Sequence, residues 1–265
     1  MNEQIKIQGL RVNFQVSGSG LAVIILHGWG SRAELWTRVE NQLVAQGFKV
    51  VVPDLIGFGS SDVPPRGWQI DDYLEWLYSF IDKLSERHPE FKDSFFLVGH
   101  SFGGRISIKA ASQSKLPLAG LVLCASAGLP PETSLKLRML SGIAKGGSSL
   151  MKKLKLDWLH YSARDLYYRL LRQHDYLKVP QTMKDTFRLV IEEDLSQYLP
   201  QITVPTLLVW GAKDHIVPLD QAYRFHQNIP ESRLEIIPNV GHSPQLEEPE
   251  KLVNLLSNFF KGLND

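Results

Sequence analysis

Three observations predict an α/β architecture, a mostly parallel sheet with helices on both faces. Short apolar runs alternate with amphipathic stretches along most of the chain. Several of those runs are unbroken, as strands buried on both faces must be. Strand patterning then disappears between about Leu129 and Leu199, where Leu, Met, Tyr, Lys and Arg dominate.

The elements follow in order. Ile5 to Val16 reads as a hairpin broken at Gly9, with alternation at Val12, Phe14 and Val16. Leu21–Leu26 is a continuous apolar strand. Arg32–Gln46 reads as a helix ended by Gly47. Phe48–Val52 is the next strand, stopped by Pro53. Tyr73, Leu77, Phe80 and Leu84 recur at helical spacing, so Ile70–Arg87 is an amphipathic helix. Phe95–Val98 is a strand feeding Gly99-His100-Ser101-Phe102-Gly103, and Arg105–Ala111 reads as the helix beyond. Leu118–Cys124 is the sixth strand. The stretch 129–199, broken at Gly146-Gly147 and Pro180, reads as three or four helices forming a cap. Strand Thr206–Trp210, a helix from about Pro218, strand Arg233–Ile237 and a helix opened by Pro249 complete the chain. The expected division is a core of residues 1–128 and 200–265 and a cap of residues 129–199.

A serine between two glycines at a strand-to-helix turn is the nucleophile-elbow pattern. The sharp turn brings residues 99 and 103 against neighbouring backbone, which glycine tolerates. Ser101 would stand at a helix N-terminus, where free N–H groups favour developing negative charge. Three further motifs follow strands: His27-Gly28-Trp29-Gly30, Gly211-Ala212-Lys213-Asp214 and Asn239-Val240-Gly241-His242. All would gather at the C-terminal edge of one sheet, where open α/β sheets bind ligands. His242 would take the Ser101 proton, and Asp214 would orient the imidazole. His215 is the rival base, but adjacent side chains on extended backbone point apart.

Together these motifs resemble the α/β-hydrolase superfamily, serine-nucleophile branch, over essentially the whole chain. The resemblance implies the α/β-hydrolase fold, with the helical cap inserted after strand six. It implies a triad of Ser101, Asp214 and His242 and an oxyanion hole from the Phe102 and Trp29 N–H groups. Gly28, Trp29 and His100 are the candidate substrate-contacting residues, with His100 beside the pocket. His27 orders the oxyanion loop. Asp54, in a loop resembling the family's loop after strand four, ties down that turn through backbone N–H groups. Relatives with an aspartate nucleophile, the dehalogenases and epoxide hydrolases, differ at position 101. Those with the acid after strand six differ at Ala125-Ser126-Ala127.

The expected activity is carboxylic ester hydrolysis through an acyl-enzyme. The His27-Gly28-Trp29-Gly30 loop resembles small carboxylesterases, including those acting on biotin-precursor methyl esters. The alternative is a C–C bond hydrolase of vinylogous diketones, whose loops are richer in Gly, Ser and Pro after the His-Gly pair. A third reading is a ligand receptor on the same fold.

Composition excludes other classes. Hydrophobic residues make up 43% of the 265 and charged residues 22%, ordinary for a globular protein. A net charge of +1 gives no general pull on nucleic acid. One cysteine, Cys124 in an apolar strand, permits neither an intramolecular disulfide nor a cysteine metal site. No nucleotide-binding glycine motif and no zinc motif occurs. No cofactor or metal is expected. The polar N-terminus and the absence of a long apolar run point to a cytoplasmic protein without a membrane span. Lys136, Arg138, Lys145, Lys152, Lys153 and Lys155 lie on the cap without an intervening acid. They read as a solvated face or as a surface for an anionic substrate or acyl carrier.

Overall fold

The structure is a computed structural model that describes residues 2–130 and 180–264. The described strands form one eight-stranded sheet in the order β1-β2-β4-β3-β5-β6-β7-β8. β1 (Asn2–Ile7) and β2 (Leu10–Gly18) pair antiparallel across a turn in which Gln8 and Gly9 take φ of 51° and 84°. β2 lies antiparallel to β4 (Phe48–Pro53). β3 (Leu21–Leu26), β4, β5 (Phe95–His100), β6 (Leu118–Cys124), β7 (Thr206–Gly211) and β8 (Arg233–Ile237) are mutually parallel.

Period-two alternation divides the strand residues between two cores. Val23, Ile25, Val50 and Val52 pack under α1 (Thr37–Ala45) and α8 (Pro249–Lys261), with Trp36, Leu252 and Phe260. Ile24, Leu26, Val51 and Leu97 face α2 (Ile70–Arg87), α4 (Phe102–Ser112) and α6 (Leu219–Asn228), with Trp76, Ile106 and Phe225. Both sides of β3 are therefore buried, which is why Leu21–Leu26 carries no polar residue. This is the α/β-hydrolase fold.

The Ile70–Arg87 helix has the predicted limits, and a capping box fixes its start: the Gln69 N–H donates to Asp72 Oδ2 at 2.8 Å. The Arg32–Gln46 stretch differs, opening as a 3₁₀ turn over Ala33–Trp36 before α1 begins. Asp54, at the end of β4, takes the Ala33 N–H at 2.7 Å and draws that turn to the sheet edge. The same carboxylate accepts the Ser60 N–H at 2.8 Å and the Asn13 amide at 3.1 Å, so Asp54 holds three segments together. Two short helices, α3 (Glu90–Asp93) and α7 (Pro244–Glu247), lacked a readable period.

Most of the expected cap, including its basic stretch, lies outside the described residues. Of the span 129–199, α5 (Gln181–Glu192) and a 3₁₀ turn at Ser196–Gln201 are described. α5 rests on the loop after β4, where the Trp68 N–H donates to Thr186 Oγ1 at 2.9 Å. No described helix is long and apolar enough to cross a membrane.

Candidate active site

β5 delivers Ser101 into a backbone conformation that few non-glycine residues adopt, φ 51° and ψ −109°. The end of β6 and the loop after it over-determine it. The Ser101 N–H donates to the Cys124 carbonyl at 3.1 Å, and the Ser101 carbonyl accepts from the Ala127 N–H at 3.2 Å. The flanking glycines are required by space. A Cβ on Gly103 would stand 2.1 Å from the Leu26 carbonyl oxygen, and one on Gly99 would stand 2.4 Å from Ser107 Oγ. Without those atoms α4 packs directly on the end of β3, and the Gly103 N–H bonds the His27 carbonyl at 3.1 Å.

Three residues distant in sequence meet here. Ser101 Oγ lies 2.9 Å from His242 Nε2, and His242 Nδ1 lies 2.8 Å from Asp214 Oδ2. Asp214 is buried, and its other oxygen accepts the Ile216 and Val217 N–H groups at 2.8 and 2.9 Å. Those two bonds fix the carboxylate, which makes Nδ1 the protonated nitrogen of a neutral His242 and leaves Nε2 free to accept the serine proton. His215 is exposed, for a reason other than strand alternation: residues 215–217 form a bend after β7 and turn the ring outward.

His27 is wholly buried and makes two bonds: its Nε2 accepts the Leu55 N–H at 3.0 Å and its Nδ1 donates to the Gly28 carbonyl at 2.8 Å. Burial lowers its pKa to about 4, so it stays neutral and acts as a strut of the loop after β3. His100 is also buried, and its Nε2 lies 2.8 Å from the His242 carbonyl oxygen.

The Phe102 N–H is the first of α4 and so one of the donors that a helix leaves without an intrahelical acceptor. The Trp29 ring interlocks with Phe102, Phe58 and Phe187, edge to face at 5.3, 4.9 and 4.9 Å. Phe187 belongs to α5, so this aromatic box joins the loop after β3, the turn at Ser101 and the described part of the expected cap.

Glu247 is a residue that sequence reasoning missed. Its carboxylate accepts the Gly241 N–H at 2.7 Å and the Ser243 N–H at 3.0 Å, the residues flanking His242. The only local signal was an acid four residues after Ser243. The described residues hold no cluster of His, Cys, Asp or Glu able to bind a metal ion.

Known proteins resemble the chain along most of its length. It is 28% identical over 268 residues to a 2-hydroxy-6-oxo-6-(2'-aminophenyl)hexa-2,4-dienoic acid hydrolase of Metapseudomonas resinovorans, covering 97% of this chain and 90% of that one. It is 27% identical over 259 residues to a pimeloyl-acyl-carrier-protein methyl ester esterase of Nitrosomonas europaea, covering 92% and 97%. An esterase structure from Thermogutta terrifontis superposes over 100% of both chains with a TM-score of 0.74 at 24% identity, a likeness of fold. With the elbow, the sheet and this coverage in agreement, the chain belongs to the hydrolase family described as serine aminopeptidase, S33, which matches residues 19–249.

Proposed function

We propose that this protein is a serine hydrolase that cleaves carboxylic esters through an acyl-enzyme. The observation that carries the reading is the continuous hydrogen-bond chain from Ser101 Oγ through His242 to Asp214, at 2.9 and 2.8 Å. In the first half-reaction Ser101 Oγ attacks the ester carbonyl carbon while His242 Nε2 takes its proton. Asp214 stabilises the imidazolium. The Trp29 and Phe102 N–H groups receive the oxyanion, and losing one such donor costs about 2.7–4 kcal/mol. His242 then returns the proton to the leaving alcohol. Water repeats the sequence against the acyl-enzyme and releases the acid. The aromatic box at Trp29 suits an apolar acyl group.

The test is a stopped-flow reaction with p-nitrophenyl esters of short to medium acyl chains. A burst, with an acyl mass increment on Ser101 that disappears in Ser101→Ala, is expected. No burst with any ester would favour the receptor reading.

The Metapseudomonas relative supports a second reading, C–C bond hydrolysis of a vinylogous diketone. Such a diketone belongs in the same substrate panel, and faster turnover of it than of any ester would replace the first reading. The expectation that the basic stretch of 135–156 meets an anionic substrate or acyl carrier is also a proposal. It requires that turnover of acyl-carrier or CoA esters fall as salt rises.

A further inference from the structure

His242 reaches both of its partners only while its backbone is held, and two groups grip that backbone. Glu247 binds the N–H groups on either side, at 2.7 and 3.0 Å. The other grip comes from inside the sheet edge. His100 Nε2 lies 2.8 Å from the carbonyl oxygen of His242 itself, and the two imidazole rings stand 5.1 Å apart. A carbonyl only accepts, so His100 Nε2 carries the proton and donates. The ring has little room to turn. Trp36 packs on it at 5.9 Å between centroids, and the Gly28 Cα is so close that a Cβ there would stand 2.8 Å from His100 Nδ1. His100 is 4% exposed and is the residue immediately before Ser101, so one rigid strand end carries both the nucleophile and this donor.

We propose that His100 is a positioning residue, acting through the backbone carbonyl of His242 to hold its ring on Ser101. The inference rests on the reading of Ser101 as the nucleophile and His242 as its base. Burial and the neighbouring His242 lower the His100 pKa to about 3, so the ring stays neutral and its donor persists across working pH. The bond acts on orientation, and a displacement of about 1 Å at a reacting group can cost roughly 10²-fold in rate.

Side-chain reach provides the test. Gln at position 100 puts an amide N–H near the place of the imidazole Nε2, whereas the shorter Asn does not, and Leu has no donor. Each variant is reacted with a fluorophosphonate probe, which reports Ser101 nucleophilicity without any assumption about the natural substrate. Burst kinetics with p-nitrophenyl acetate then separate kcat from KM, and thermal melts register folding. His100→Asn and His100→Leu should label about 10–100-fold more slowly, with KM changed less than about threefold, and His100→Gln should stay within about fivefold of the native chain. Labelling of Asn and Leu variants at the native rate overturns the proposal. So does a loss that follows melting temperature equally in all three variants. Failure of the native protein to label at Ser101 strikes instead at the nucleophile reading.

Discussion

At the residue scale, the role proposed for Ser101 rests on strain and company. A serine at φ 51° sits in a conformation that costs of order 1–3 kcal/mol, and the bonds to Cys124 and Ala127 hold it there. In the proposed mechanism Ser101 and His242 share one proton, so neither should function without the other. Ser101→Ala and His242→Ala should each lower kcat by on the order of 10⁵–10⁶, and the double variant should be hardly worse than either. Asp214→Asn, which keeps the shape and alters which nitrogen of His242 is protonated, should lose on the order of 10³–10⁴. Steady-state kinetics of the four variants decide it, and losses that multiply would mean the residues work separately. That Ser101, Asp214 and His242 could meet was legible, since each follows a strand in a recognisable motif. The exposure of His215 has a cause that strand alternation did not supply, because the bend at residues 215–217 belongs to the folded loop and not to any strand.

At the element scale, α4 carries more than the elbow. Lys109, two turns beyond Ser101, is 4% exposed at its side chain and bonds Asp71 and Glu193, each at 2.6 Å. Burial disfavours its charge, yet the two carboxylates hold its pKa above the ordinary lysine value. The ammonium also lies 5.3 Å from the centre of the Tyr198 ring. One turn earlier on the same face, the Arg105 guanidinium donates to the Glu193 carbonyl. Together they fasten the chain where it leaves α5 to the helix that begins just after Ser101. Lys109→Met should destabilise the protein by about 1–3 kcal/mol, less than a fully buried pair because Asp71 is largely exposed. Urea denaturation measures this, and an unchanged midpoint with an unchanged slope would remove the fastening. Sequence periodicity marked α4 but not this grip. A lysine on a helix reads as solvated until the partner elements are in place.

At the scale of the whole molecule, two buried histidines link stability to pH. His27 and His100 titrate near 4 and 3 in the folded chain against an ordinary value of 6.5, in both cases chiefly because burial disfavours their charge. Below pH 6.5 the unfolded chain binds protons that the native one does not, so stability is full above that value and declines as pH falls toward 4. With two such groups the slope should approach about 2–3 kcal/mol per pH unit in the middle of that window. Denaturant titrations at a series of pH values provide the check, and a flat profile between pH 6.5 and 4 would contradict it.

The sheet, its longer helices, the elbow and the three motif positions were set by the linear chain, because hydrophobic period, glycine punctuation and capping are local properties that neighbouring residues express together. Partner choice across space belonged to the tertiary structure: Asp54 on Ala33 and Asn13, Glu247 around His242, and His100 on the His242 carbonyl. Those bonds join segments far apart along the chain or depend on the final turn of a loop. A polar side chain in sequence does not show which backbone group it will satisfy until packing has removed water from both.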